Sequence, residues 1–400
     1  MTLKIPLLAC LGGLVLMGSL PQPAAREVRV EAGAYDRRAA IVSFAMPGLT
    51  PGTQLTLREG ATWTPLQVDA NGRGWFVLPA LRAGAARSYR VEEARAWETP
   101  GASASRAGDN VAFTWNGKPV LQYIGGTGAL PSSDIKPIFT RGGYLHPVRT
   151  PSGRTVTDDY PADHRHHHGI WFAWTRTTFQ GRDPDFWNVG DAKGRVEFSA
   201  VKDVWSGPVQ AGVRAEHRYV DLTSGSPIAV LSEQWDTRVF GSIDSARSSY
   251  VFDVDVAQTN VAGDPLLLPE YHYGGIGVRG AAGFVKPDIV QFLTSEGKDR
   301  LSGDGAESRW AVISGEVDGR QASLAILAHP SNFRAPERMR IHPTDPYLCF
   351  APSRSGPWAI AKGASYVARY RFVAFDGPPD AAELGRLWVD YAQPPAASVR

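Results

Sequence analysis

From residue 26 to about residue 95, apolar positions come in short alternating runs. Val28 and Val30, Ile41 and Val42, Leu55 and Leu57, and Phe76 and Leu78 mark segments with polar residues around them, as in strands buried on one face. Pro47-Gly48, Pro51-Gly52, Asn71-Gly72 and Gly84 punctuate these segments as turns. The pattern predicts a small β-sandwich of immunoglobulin-like size over residues 26–98. A Gly/Ala/Ser-rich stretch, residues 99–105, then reads as a linker.

The β pattern continues through a second unit, residues 106–394. Residues 111–115 and 119–123 flank Asn116-Gly117 and predict a hairpin. Residues 232–240 and 322–328 read as strands, the second so apolar that it must be buried. Val367, Arg369, Arg371 and Val373 alternate with Ala368, Tyr370, Phe372 and Ala374, which predicts a strand with one polar face. One helix stands out near the C-terminus. Asp380 and Glu383 have capping-box spacing, Ala381, Leu384, Leu387, Trp388 and Tyr391 trace one stripe, and Pro394-Pro395 ends it. The expected fold class is all-β: a large antiparallel β-sandwich, a small N-terminal β-sandwich domain and one C-terminal helix.

Residues 1–25 break the pattern. Lys4 precedes an apolar run over residues 5–20 that closes in small residues, the layout of a signal peptide and short for a membrane span. A periplasmic or secreted protein is expected, with no membrane attachment after cleavage. Cleavage would remove Cys10 and leave Cys349 alone, so no internal disulfide is expected. With 42 Lys plus Arg against 40 Asp plus Glu, the chain lacks the dense cationic surface that nucleic acid requires.

Four of the nine histidines fall at positions 164, 166, 167 and 168. If this segment is extended, His164, His166 and His168 share one face, about 6.6 Å apart in sequence, and His167 takes the other. Such imidazoles suit a divalent metal, metal-free acid/base work, or a hydrogen-bonded turn ahead of a buried strand. Glu270 and His272 offer a carboxylate beside an imidazole, followed by Gly274-Gly275, which permits close approach. Arg279 suits an anionic or hydroxyl-rich ligand, or an ion pair. His329 and Asn332 follow the apolar strand, with His342 near the same rim. Asp185, Trp187 and Asn188 combine a carboxylate, an indole and an amide, a set that suits sugar rings. His146 and His217 have weaker claims. No Gly-x-Ser-x-Gly elbow, P-loop or His-Glu-x-x-His is present, and Cys349, within Tyr347-Leu348-Cys349-Phe350, reads as a buried apolar residue.

In order, residues 135–139, 143–147, 152–153, 163–174, 185–188, 272–275, 318–319, 329–332 and 370–372 resemble the PmoA-like family, often labelled "methane oxygenase PmoA". The specific stretch is Asp163-His164-Arg165-His166-His167-His168-Gly169-Ile170-Trp171. The resemblance covers roughly residues 110–380. It implies a fold like the galactose-mutarotase β-supersandwich and a setting among exported carbohydrate-degradation proteins. The membrane-bound oxygenase of the label does not fit a mature chain without a spanning segment.

The function expected is an exported carbohydrate-active enzyme using acid/base chemistry on a sugar ring, with hydrolysis or elimination at a glycosidic bond ahead of epimerisation. His166 and His168 would donate or polarise, and Glu270 with His272 would take the proton. His164, Asp185, Trp187, Asn188, Arg279, His329 and Asn332 would hold the carbohydrate, a small molecule or an oligosaccharide. Two alternatives stay open. One is a glycan-binding protein without turnover. The other is a metal-dependent enzyme with His166, His168 and either His272 or Glu270 as ligands.

Overall fold

The computed structural model describes residues 26–49, 51–93, 101–126, 130–242, 248–284 and 291–400. The signal peptide expected over residues 1–25, Cys10 and the first residues of the expected linker lie outside them. The regular structure of the described residues is nearly all strand. Among them, no helix is long and apolar enough to cross a membrane.

Turn chemistry sets the local pairings. Asn116 and Gly117 take positive φ, 48° and 77°, as a two-residue hairpin requires, and strands Asn110–Trp115 and Lys118–Ile124 pair antiparallel across them. The expected linker is itself partly strand: Ala102–Ala107 pairs with Asn110–Trp115.

Two eight-stranded antiparallel sheets make the large sandwich. The first runs in the order Met339–Ile341, Tyr347–Phe350, Gly275–Arg279, Ile170–Ala173, Tyr144–Val148, Lys118–Ile124, Asn110–Trp115 and Ala102–Ala107. The second is built on the long strands Gly194–Trp205, Ala211–Asp221, Ile228–Gly241, Ser249–Asn260 and Ser365–Asp376, extended by Arg320–Ala328, Trp310–Val317 and Gln291–Thr294. Their inward faces share one core containing Phe172, Trp174, Trp235 and Tyr366. Removing that much indole and aliphatic surface from water is what holds the two sheets together.

The N-terminal sheet departs from expectation in one respect: residues 27–93 do not complete it alone. Strand Ala396–Val399, beyond the two prolines, returns to pair with Glu27–Glu31. The first strand would otherwise present a row of unpaired N–H and C=O groups along a sheet edge.

The C-terminal helix, Ala381–Ala392, starts where Asp380 accepts the backbone N–H groups of Ala382 and Glu383. Leu384, Leu387 and Tyr391 bury its stripe against Val251, Val312 and Val373, and Ile41 of the N-terminal unit joins the same cluster. This explains a departure on Ser365–Asp376. Val367 and Arg369 are exposed as expected, but Val373 and Arg371 lie under the helix. Arg371 is satisfied there by Asp253 at 2.7 and 2.9 Å and lies over the Tyr391 ring.

Candidate functional site

Four adjacent strands of the first sheet build the floor of the site. Their register sets Trp171, Gly277, Cys349 and Arg340 in one cross-strand row. Directly opposed residues project to the same face and faces alternate along a strand, so Tyr347 and Arg279 share it two pairs along. Gly277 has no side chain, and the Trp171 and Trp187 indoles occupy the space above it.

The histidine segment is not extended. His164 N–H donates to Pro161 O and His167 N–H to His164 O, closing two successive turns before the strand Ile170–Ala173. Gly169 follows because a Cβ there would lie 2.1 Å from the carbonyl oxygen of Leu145. Turns replace strand parity with a different grouping. His164 stacks flat on His167 at 4.7 Å and 7°, and His166 meets His167 edge-on at 4.7 Å. His167, expected on the far side, is therefore at the centre, stacked in turn on Tyr347 at 4.8 Å. His168 points away. It is fully buried between Tyr144 and Tyr160, with Nδ1 2.7 Å from Asp159 Oδ1.

The three imidazoles open onto a pocket of about 230 Å3. His272, Tyr273, Trp187 and Asn188 line it together with Arg340, His342 and Tyr347. Burial, helped by the neighbouring imidazoles, pushes His166 down to about 4 and His167 well below the usual histidine range. Burial also lowers His272 and His342, with Arg340 adding to the effect on both, and raises Tyr273 to about 12. The pocket is therefore rich in unprotonated imidazole at neutral pH.

Arg279 sits buried beneath the histidines and donates to both oxygens of Asp163 at 2.9 Å. Against the upward push of burial, hydrogen bonds from Arg279 and His164 hold Asp163 at about 2. Behind the pocket, Asp185 accepts from Thr175 Oγ1 and from the backbone N–H groups of Trp187 and Asn188. It positions the loop that presents the Trp187 ring. For a metal, His164, His342 and Asp345 bring one ligand atom each to within 4.8 Å of one another.

Of the residues expected from sequence, His164, His166, His272, Trp187 and Asn188 line this pocket, with Asp185 and Arg279 supporting it. Glu270 does not join them; it is exposed, outside the lining. His329 pairs with Ser331 and packs on Tyr391 of the C-terminal helix. Asn332 is buried, tied to Glu337 and to the backbone of Arg369. Both stand where the chain leaves Arg320–Ala328, a place set by packing rather than by the pocket. His217 is sealed between Glu233 and Tyr123, and His146 pairs with Thr157. The expected metal set also separates, because His168 faces away from His166.

Arg340, Asp345, Tyr347, Tyr273 and the central role of His167 were not legible as site features. Arg340-Ile341-His342-Pro343-Thr344-Asp345 does carry a signal, a polar cluster in a short turn between two strands. Only the pairing of Tyr347–Phe350 beside Gly275–Arg279 brings that turn to the histidines.

The sequence pattern of a family of unknown function (DUF6807) matches residues 110–389, and the chain belongs to that family. This corrects the expected PmoA-like membership: the matching family is DUF6807, which carries no assigned activity. No curated protein matches the chain in sequence. Among solved structures, it is similar to an alpha-mannosidase from Enterococcus faecalis V583, with 9% identity, a TM-score of 0.37, and 95% of this chain and 46% of that one covered. A glycosyl hydrolase family 38 protein from Enterococcus faecalis is similar at 9% identity and a TM-score of 0.40, with 94% and 47% covered. A galactose mutarotase related enzyme from Lactobacillus acidophilus is similar at 10% identity and a TM-score of 0.24, with 69% and 97% covered. The chain spans about half the length of the first two.

Proposed function

We propose that this protein is a carbohydrate-active enzyme that removes a proton beside a carbonyl or carboxylate of a sugar and eliminates the neighbouring oxygen substituent. The observation that carries this reading is the make-up of the pocket. Five imidazoles, one guanidinium, three aromatic rings and one amide line it, and among the described residues no carboxylate does. Hydrolysis by paired carboxylates needs an acid on each side of the bond. Imidazole can take a proton at neutral pH without one.

His166 is the acid/base group in this scheme, because it is half-buried at the pocket wall and braced edge-on by His167. Loss of the C–H proton leaves an oxyanion on the adjacent carbonyl, and Arg340 supplies the positive charge to hold it. The departing oxygen recovers a proton from the protonated imidazole. Trp187 and Tyr273 offer ring faces to the apolar side of a sugar, and Asn188 a hydrogen-bonding edge. A volume of about 230 Å3 lies below the roughly 300–1,000 Å3 of sites for drug-sized ligands, which suits one sugar unit. The exported setting expected from residues 1–25 belongs to the same proposal.

The test is a panel of glycosides with their keto and uronate forms, followed for unsaturated product. Turnover is expected only with the oxidised sugars. It should fall by about 100-fold or more in His166→Ala and Arg340→Met, and persist in Glu270→Gln and His329→Ala. Wild-type turnover in His166→Ala, or sugar binding with no product from any substrate, would sink the reading.

A further inference from the structure

His167 is almost wholly buried yet lines the pocket. Its ring stacks on His164 at 4.7 Å and on Tyr347 at 4.8 Å, and its Nδ1 lies 3.5 Å from Nη1 of Arg279. A guanidinium can only donate, so Nδ1 is the acceptor and the proton of the neutral ring sits on Nε2. Arg279 is itself fixed, donating to both oxygens of Asp163 at 2.9 Å. Burial, reinforced by His166, His164 and Arg279, holds the ring well below the usual histidine range, so it stays neutral. Among the described residues Nε2 bonds no group, and it is not one of the sealed polar atoms, so its N–H opens onto the pocket.

The formal charge of the pocket is already opposed. Arg340 is the single guanidinium among the described lining residues, and its Nη1 donates to Asp304 at 3.1 Å. Asp163 and Asp345 stand 3.1 and 3.2 Å from Nδ1 of His164, at the pocket wall. A bound carboxylate would lose its hydration beside these acids with no unopposed cation to offset the loss. A ketone oxygen carries no charge to desolvate and needs only a neutral donor. We propose that the pocket selects neutral keto sugars over uronates, and that Nε2–H of His167 donates to the ketone oxygen. The step it serves rests on the elimination proposed above. As His166 removes the proton beside the ketone, electron density moves onto that oxygen, and His167 holds it without giving up its own proton. The electron pair then returns as the C–O bond to the leaving group breaks. Arg340, paired as it is, keeps further N–H groups for the charge that develops in the transition state.

Two substrates separate the cases: a keto-disaccharide whose glycosidic oxygen lies β to the ring ketone, and a diuronide whose glycosidic oxygen lies β to the carboxylate. kcat/KM should favour the keto sugar by about 100-fold or more. His167→Leu should lower kcat/KM for it by about 100-fold, and His167→Gln, which keeps a neutral N–H donor, should lose less. Melting of both variants separates loss of the donor from loss of the fold. Nitrogen NMR of the histidine-labelled wild type needs no variant, and should place the His167 proton on Nε2 and shift that signal when keto sugar is added. A proton on Nδ1, or unchanged kcat/KM in folded His167→Leu, overturns the role of His167. Equal or better turnover of the diuronide overturns the selection and keeps the elimination. If neither sugar yields product, the elimination falls. The selection then survives only if calorimetry shows the keto sugar bound about tenfold or more tighter than the diuronide, with the same shift at Nε2.

Discussion

Gly277 stands directly opposite Trp171 in the antiparallel register, and a Cβ on it would lie 2.9 Å from that indole and 2.9 Å from the indole of Trp187. The glycine makes room for two rings, one of which lines the pocket. Gly277→Ala should cost about 1–3 kcal/mol through overpacking, read as a lower urea midpoint with unchanged slope. It should also weaken sugar binding, because Trp187 must move. An unaltered midpoint would show that the floor relaxes around the methyl group.

His166 and His168 lie two residues apart and should behave oppositely. His168→Ala strands Asp159 Oδ1 and opens a void between Tyr144 and Tyr160, at about 2–3 kcal/mol. His166→Ala removes a ring that partly faces the pocket and should cost about 1 kcal/mol or less while abolishing turnover. Urea unfolding of the two variants beside the sugar panel separates these outcomes. Equal destabilisation by both would contradict the turn geometry.

Glu337 is fully buried, with the Tyr370 hydroxyl at 2.9 and 3.2 Å and the Asn332 amide at 2.9 Å. Burial raises its carboxyl from 4.5 to about 7, despite the hydrogen bonds from Asn332 and Tyr370 that oppose the shift. Between those two values the unfolded chain has released a proton that the folded chain keeps. Stability contributed by this group is therefore highest in acid, declines as pH rises through that window, and is level above it. The whole change is about 3 kcal/mol. Glu337→Gln should remove this decline, so the stability difference between wild type and variant should change between pH 5 and 7.5 in urea titrations. A difference independent of pH would mean that Glu337 is ionised throughout.

Strand Ala396–Val399 is the outer partner of Glu27–Glu31. Removing residues 394–400 leaves the C-terminal helix intact and uncovers that strand. Amide exchange should accelerate in residues 27–31 and remain slow in residues 228–241 of the large sandwich. Equal acceleration in both segments would show that the two units unfold together.

Local pattern carried much of this architecture. The N-terminal strands, the hairpin at Asn116-Gly117, the buried strand Arg320–Ala328 and the capped helix Ala381–Ala392 all follow from alternation, turn residues and a capping aspartate. Those signals act within a few residues. Arg371 shows where they stop: its alternation is that of a solvent-facing residue, yet a helix from further along the chain covers it and Asp253 neutralises it.

The pocket divides in the same way. Sequence alone determined that histidines crowd one segment, that aromatic and amide groups stand at Trp187 and Asn188, and that a second imidazole follows at His272. Tertiary structure decided which of them meet. Backbone hydrogen bonds closed the histidine segment into turns, which exchanged His168 for His167 and undid a grouping based on strand parity. Sheet order then carried Arg340, His342 and Asp345 to His164 across more than 170 positions of chain. Glu270 and His329, equally promising as residue types, were left outside. Periodicity reports which face of an element is buried; pairing between distant strands is settled by the whole core, and it alone sets which side chains share a pocket.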